Sequence, residues 1–284
     1  MSLRSSQAED FFGSATKIVR IELTRVRGSS PREAGTEMFV SADRLFGTIG
    51  GGQLEHIVIT KARTMLADGT LETHLDLPLG PEIGQCCGGR VELVLKRMRR
   101  SDVDDALGRL RSAENALPHV YVMGAGHVGR AIADLLQHAP VHCVLVDMRK
   151  EELAQSNARV DMRLRAIPEV EIFNAPEGSA FIVLTHDHGL DFLLTSAALE
   201  LGHASYVGMI GSATKRAKLR SWCLSHCDGL EIDQLTCPIG AAGSRDKRPE
   251  IIAAFVAAEV LAALTAGDLA AGGREETALL QAAQ

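Results

Sequence analysis

One glycine-rich turn limits what this chain can fold into more than any other stretch. The sequence predicts a strand over Val120–Met123, the glycine turn over Gly124–Gly129 and a helix over Arg130–His138. A second predicted strand, Val141–Val146, is followed by the acidic residue Asp147. The glycines at 124, 126 and 129 follow the Gly-x-Gly-x-x-Gly pattern, in which they permit a sharp turn, a close approach to a pyrophosphate and tight helix packing. The pattern predicts a Rossmann-like unit; the alternative is a β-turn-α unit that binds nothing.

Composition narrows the class of protein. The chain has 284 residues, 46% of them hydrophobic, and a net charge of −6 without a long basic run, which argues against nucleic acid as a partner. Met1–Asp10 is polar, so we expect no signal peptide. The apolar segment Ile251–Leu264 contains Glu259 and is too short to span a bilayer, so we expect no membrane partner. Six cysteines without a secretion signal favour reduced thiols and a cytoplasmic location.

Element patterns divide the chain into two predicted domains. Val19–Leu23 alternates as a half-buried strand, and the segment around Ser41–Arg44 predicts a hairpin. Ser112–Pro118 is a short linker. We therefore predict an α/β protein with a small N-terminal α+β domain over residues 1–116 and a Rossmann-like parallel-sheet domain over residues 117–284.

A second glycine turn precedes a helix in the first domain. Gly50, Gly51 and Gly52 follow a predicted strand, and an amphipathic helix begins near Glu55 and stops at Gly69. Three consecutive glycines lower the stability of the fold, because each loses much backbone entropy on folding. Their presence therefore indicates a site where the backbone at the helix N-terminus approaches an anionic group. A flexible turn is the alternative.

Two adjacent cysteines, Cys86 and Cys87, lie in the glycine-flanked segment Gly84–Gly89. Neighbouring cysteines rarely form a disulfide with each other, because the ring is strained. Cys86 and Cys87 are therefore either small buried residues or include one accessible thiol on a glycine loop.

The Rossmann-like half carries more polar residues at predicted strand ends. His186 and His188 follow one strand, and Gly211 and Ser212 follow the next. Loops at the carboxyl ends of parallel strands line the ligand crevice, so these residues should share a rim with the glycine turn and Asp147. His186–Asp191 partly matches a metal loop, but we expect hydrogen bonding to a polar ligand, or a helix cap at His186, and no metal.

The loops together resemble those of the xanthine dehydrogenase accessory protein family, of XdhC type and related to the CoxI-like proteins. The resemblance covers residues 15–265. The matching segments are Arg27–Pro31, Gly47–Glu55, Gly84–Gly89, Val122–Gly129 with His127, Thr185–His188 with Asp191, Gly208–Ser212 and Cys237–Gly240.

The resemblance implies a carrier and not an enzyme. Such proteins bind the molybdenum cofactor, protect its sulfurated form and deliver it to the large subunit of xanthine dehydrogenase, with a cysteine desulfurase as a further partner. Helix N-termini at the two glycine turns suit the phosphate of molybdopterin, and a thiolate at Cys86 or Cys87 suits molybdenum or its sulfido ligand. We also expect a homodimer, formed through the final apolar helix or an exchanged first domain.

Two rival functions use the same motifs. In an NAD(P)-dependent oxidoreductase, Asp147 would bind the ribose hydroxyls and the first domain would bind the substrate. A non-catalytic nucleotide sensor is the third possibility. Tight NAD(H) binding with turnover would favour the dehydrogenase, and a bound pterin would favour the carrier.

Overall fold

The computed structural model describes residues 3–80, 88–241, 243–244 and 246–282, with side chains described between residues 6 and 266. The chain forms two compact units, which we call the N-terminal unit (Arg4–Ser112) and the C-terminal unit (Ala113–Gln284). The expected α/β class, with an antiparallel first unit and a parallel second one, is confirmed.

The N-terminal unit contains one five-stranded antiparallel sheet in the order β3-β2-β1-β5-β4. Its strands are β1 (Val19–Arg27), β2 (Glu37–Val40), β3 (Leu45–Gly47), β4 (Glu72–Pro78) and β5 (Arg90–Arg97). Its helices are α1 (Leu3–Ser14), α2 (Gly52–Asp68) and α3 (Arg100–Asn115).

Both faces of this sheet are covered. Alternate residues of β1, such as Ile21 and Leu23, face α2 and pack with its buried stripe. A cluster with Phe11, Phe12 and Phe39 fills the other side. The predicted hairpin is confirmed, because β2 and β3 pair in antiparallel register. Sequence inspection missed β4, whose polar residues face outward on an edge strand beside β5.

The C-terminal unit contains a six-stranded parallel sheet. Its strands are β6 (His119–Met123), β7 (His142–Asp147), β8 (Asp161–Leu164), β9 (Ala180–Val183), β10 (Tyr206–Met209) and β11 (Leu235–Thr236). Its helices are α4 (His127–Leu136), α5 (Lys150–Leu153), α6 (Glu169–Phe173), α7 (His188–Glu200), α8 (Ala213–His226) and α9 (Pro249–Ala282).

The order of these strands is that of a Rossmann fold. The chain starts at β6 in the middle, moves through β7 to β8 at one edge, and then crosses back to β9, β10 and β11. Helices α4 and α9 cover one face, where Val120 and Val122 point. Helices α7 and α8 cover the other face with Tyr121 and Met123. The topological switch point therefore lies between β6 and β9, beside the glycine turn.

The final helix extends well beyond the apolar segment Ile251–Leu264, because α9 continues to Ala282. Within the described residues, its segment Pro249–Ala266 is long and apolar enough to cross a membrane by length and composition, a test that core helices of soluble proteins also pass. Only 22% of that segment is buried, because a single stripe with Val256 and Val260 packs into the core.

Candidate functional site

A crevice opens at the carboxyl ends of β6, β7 and β9, at the switch point. Its lining is mostly apolar, with four polar or glycine positions, and consists of Met123, Gly124, Val146, Asp147, Met148, Pro168, Thr185, His186, Leu190 and Leu194. The structure thus brings together three of the predicted site residues, from three different loops, around one pocket.

Two glycines of the turn are required by close backbone packing. Gly124 has a φ of 130°, and a Cβ there would lie 2.5 Å from the carbonyl oxygen of Leu184. A Cβ at Gly129 would lie 1.9 Å from the carbonyl oxygen of Gly124. Neither position can hold a larger residue without a backbone shift, as the motif predicts for its first and third glycines.

Gly126 is different from the other two glycines. It is the N-cap of α4, and a Cβ placed on it would have no atom within 4 Å. Among the described residues, no side chain makes a capping hydrogen bond there, and His127 beside it is exposed. The first turn of α4 therefore presents backbone N–H groups to an open space, which is the arrangement that binds anions at helix N-termini.

Asp147 lies at the end of β7 and is almost completely buried. One carboxylate oxygen, Oδ2, accepts from the Ala125 amide at 2.7 Å and from Arg149 Nη2 at 3.0 Å. The other, Oδ1, accepts from the Arg149 amide at 2.8 Å and from its Nε at 3.0 Å. Burial acts to raise the pKa of Asp147, but these hydrogen bonds outweigh it and hold the pKa below its usual range.

The Arg149 guanidinium also lies close to a second acid, Glu152. Its Nη1 lies 3.8 Å from Glu152 Oε1, and Glu152 Oε2 accepts from Arg130 Nη1 at 2.6 Å. Arg130 also donates to the carbonyl of Ala125. Sequence inspection missed Arg149, although its position two residues after the strand-end acid was a readable signal.

The loop after β9 is organised by its acids and not by its histidines. Asp187 is the N-cap of α7 and accepts from the Leu190 amide at 2.8 Å, so the expectation of a cap at His186 is wrong. This bond lowers the pKa of Asp187. His186 and His188 are exposed, and His186 lines the pocket. No group of three potential metal ligands occurs in the described part of the chain.

Asp191 and Lys215 form a buried ion pair below this loop. Asp191 also accepts from the Thr185 amide at 2.8 Å, and Lys215 donates to the carbonyl of Ile210 at 3.0 Å. The side chain of Lys215 is 10% exposed, so the ion pair is shielded from solvent. The pair links the loops after β9 and β10.

The loop after β10 begins α8 with Ser212 as N-cap, whose Oγ accepts from the Lys215 amide at 3.3 Å. Gly211 lies beside it, where a Cβ would meet the Lys215 side chain at 2.7 Å. Cys237, after β11, approaches the Ser212 carbonyl with its Sγ at 3.8 Å. Burial raises the pKa of the Cys237 thiol, which keeps it protonated.

The glycine turn at Gly50–Gly52 belongs to the N-terminal unit, and a side chain of the same unit, Glu55, occupies its backbone amides. Glu55 Oε1 accepts from the amides of Ile49 at 3.0 Å and Gly51 at 2.9 Å, and from the Thr48 hydroxyl. Burial acts to raise the pKa of Glu55, but these bonds lower it below its usual range. Gly50, Gly51 and Gly52 all have positive φ, which explains the run of glycines.

The predicted cysteine pair, Cys86 and Cys87, lies outside the described residues. Among the described cysteines, Cys143 lies in β7 and is 5% exposed, as expected for a core residue. Burial raises the pKa of its thiol to about 12.

An antiparallel α+β unit followed by a Rossmann-like unit with an open glycine turn places the chain among two-unit proteins with a Rossmann-like half. Residues 14–75 match the model of the XdhC and CoxI family, and residues 120–260 match that of the XdhC Rossmann domain. The chain therefore belongs to the XdhC-type family of xanthine dehydrogenase accessory proteins.

Two individual proteins are similar to the chain. A Bacillus halodurans protein described as a xanthine dehydrogenase has the same fold, with a TM-score of 0.74 and 16% identity over 94% of this chain and 96% of that one. The uncharacterized protein YqeB of Escherichia coli K12 is 28% identical over 131 residues, which are 45% of this chain and 21% of YqeB. The aligned segment thus spans about a fifth of that curated relative.

Proposed function

We propose that this chain binds the molybdenum cofactor, protects its sulfurated form and delivers it to the large subunit of xanthine dehydrogenase. The observation that carries the proposal is the crevice of the C-terminal unit. There, Gly124 lines a mostly apolar crevice, and the same glycine turn leads to an uncapped helix N-terminus at Gly126. Family membership supports the accessory role, and the site supports the class of ligand.

The residues present fit the parts of this cofactor. Its terminal phosphate suits the amides of the first turn of α4, because the helix end carries a partial positive charge and unpaired N–H groups. Its planar pterin suits a pocket lined by Met148, Pro168 and Leu190. The bound group would supply molybdenum and its sulfido ligand, while the chain orients and shields it.

The state of Asp147 disfavours a dehydrogenase that uses NAD. NAD needs a free carboxylate at this position for its ribose hydroxyls. Here the carboxylate already accepts four hydrogen bonds from Ala125 and Arg149. Two oxygens offer about four acceptor positions in total, so no position remains for a diol.

The test is to co-express the chain with the pterin pathway and extract what it carries. We expect an oxidised, fluorescent pterin that co-purifies in proportion to protein, and activation of a cofactor-free xanthine dehydrogenase by the loaded chain. The same preparation from cells that lack the pathway is the control. NADH turnover by a pterin-free protein would overturn the carrier proposal.

A thiol close to molybdenum is part of the same proposal. Cys86 remains the candidate, because glycines flank the cysteine pair in the sequence, and a helix N-terminus close to its thiol would lower the pKa of that thiol. Cys86→Ala should keep the fold but retain less cofactor, whereas Cys143→Ala should change stability only. A Cys86→Ala protein that carries cofactor and activates the enzyme as well as the parent removes this residue from the proposal.

The exposed side of α9 supports a homodimer. Ala254, Phe255 and Ala258 are exposed along an apolar helix segment of which 22% is buried. A second copy that covers this side would remove apolar surface from water. Light scattering at micromolar concentration should give twice the 30.4 kDa chain mass, and a clean 30.4 kDa species would contradict the proposal. A cysteine desulfurase, as the source of the sulfido ligand, is a further proposed partner in the cytoplasm.

A further inference from the structure

We infer that Arg149 is a specificity-determining residue of the crevice. By holding Asp147 it excludes ligands that present a vicinal ribose diol, such as NAD, and leaves the site to phosphorylated ligands without one. The inference deepens the proposed function, because it concerns the ligand class of the same site.

The geometry leaves the carboxylate of Asp147 without a free acceptor position. Each oxygen accepts two hydrogen bonds, at 2.8 and 3.0 Å for Oδ1 and at 2.7 and 3.0 Å for Oδ2. Two of the four donors are backbone amides, of Ala125 and Arg149, which fix the carboxylate against the glycine turn. The other two come from the Arg149 guanidinium as a bidentate pair, with one nitrogen on each oxygen.

A ribose diol could bind only by displacing that guanidinium. Displacement would break two charge-assisted bonds to a carboxylate that is 6% exposed, and would also move Arg149 away from Glu152. Two neutral hydroxyl donors form weaker bonds than the guanidinium they would replace. The exchange is therefore unfavourable, and the diol is rejected at this position.

The side chain of Arg149 can be changed without loss of the fold. It is 33% exposed, and its backbone amide would still donate to Asp147 after substitution. Arg149→Ala removes both guanidinium donors and opens one acceptor position on each oxygen. Arg149→Lys is the matched control, because an ammonium keeps the charge but cannot form the bidentate pair.

The experiment measures NADH binding by fluorescence titration of the purified chain. We expect Arg149→Ala to bind NADH about tenfold more tightly than the parent, or more, with Arg149→Lys between them. In the double variant Asp147→Asn with Arg149→Ala the gain should disappear, because the diol then lacks its charged acceptor. Thermal unfolding followed by the fluorescence of Trp222 checks that each variant is folded.

Two results would overturn the inference. The parent could bind NADH as tightly as Arg149→Ala, or the gain could persist in the double variant. None of these measurements uses the pterin. A chain that fails to carry pterin therefore defeats the proposed function but not this inference, and the reverse also holds.

Discussion

Two glycine-rich turns lead into helices, Gly50–Gly52 into α2 and Gly124–Gly129 into α4. At Gly50–Gly52, the Glu55 carboxylate accepts hydrogen bonds from the backbone amides of Ile49 and Gly51. At the second, Gly126 is the N-cap without a capping side chain, and the nearby acid, Asp147, reaches only the Ala125 amide and Arg149.

The difference follows from where an acid lies in the sequence. Glu55 belongs to the first turn of α2, so its carboxylate can return to the amides just before the helix, much as in a capping box. The first turn of α4 contains no acid. A glycine turn with an acid in the next helical turn satisfies its own amides, and one without such an acid leaves them for a ligand.

The largest expected effect comes from Gly129→Ala. Alanine favours a helix over glycine by about 1 kcal/mol, but its Cβ would lie 1.9 Å from the Gly124 carbonyl oxygen. Because the contact is with backbone, it cannot be relieved by a rotamer change, and the overlap wins. We expect the C-terminal unit to lose about 2–4 kcal/mol of unfolding free energy, together with cofactor binding.

Urea unfolding can test this for the C-terminal unit alone. The single tryptophan of the chain, Trp222, and both tyrosines, Tyr121 and Tyr206, lie in that unit, so intrinsic fluorescence reports on it. Gly108→Ala is a matched control in the other unit, where an added Cβ has no atom within 4 Å. An unchanged midpoint for Gly129→Ala would show that the turn can open, and the comparison of the two turns would fail.

The next effect is on binding and not on stability. Gly126→Ala keeps an allowed backbone, at φ −66° and ψ −176°, and its Cβ meets nothing within 4 Å. We expect the unfolding free energy to change by no more than about 0.5 kcal/mol, since the N-cap loss and the smaller unfolded-state entropy offset each other. The methyl group would project toward the open amides, so pterin retention should fall about tenfold.

The measurement is the ratio of extracted pterin to protein in Gly126→Ala. It is compared with the ratio in the parent and in Gly51→Ala, which changes the turn at Gly50–Gly52. Gly51→Ala strains a residue with a φ of 78° but should leave pterin retention unchanged in folded protein. If Gly126→Ala retained the full amount of pterin, the phosphate would not bind at α4.

Local patterns predicted the elements that depend on local chemistry. The strand at Val120–Met123, the turn with its first and third glycines, and the stop of α2 at Gly69 follow from backbone freedom and hydrophobic period. The edge strand β4 was missed because its outward residues are polar and its apolar signal is weak.

The partners of charged side chains were not predictable in the same way. Asp147 was expected to face a ligand. Asp147 instead forms an ion pair with Arg149, and Lys215 of α8 forms an ion pair with Asp191 of α7. Arg149 is only two residues after Asp147, so that pair was readable from the sequence, whereas the Asp191–Lys215 pair depends on the packing of separate loops, which the spacing of residues does not encode.

The smallest effect tests the self-capped turn. Glu55→Gln keeps the shape of the side chain and an acceptor oxygen but removes the charge from the bonds to Ile49, Gly51 and Thr48. We expect a loss of about 1 kcal/mol in local stability at neutral pH. Hydrogen exchange of the Ile49 and Gly51 amides measures it, since the N-terminal unit contains no tryptophan or tyrosine.

The pH dependence of that loss separates a charge effect from a shape effect. The pKa of Glu55 is lowered in the folded chain, so its carboxylate stabilises the turn above its ordinary pKa of about 4.3 and stops doing so as the pH falls through the lower folded value. The difference in amide protection between parent and Glu55→Gln should therefore shrink as the pH falls below about 4. A difference that stays constant with pH would mean that the ionised carboxylate does not stabilise the turn.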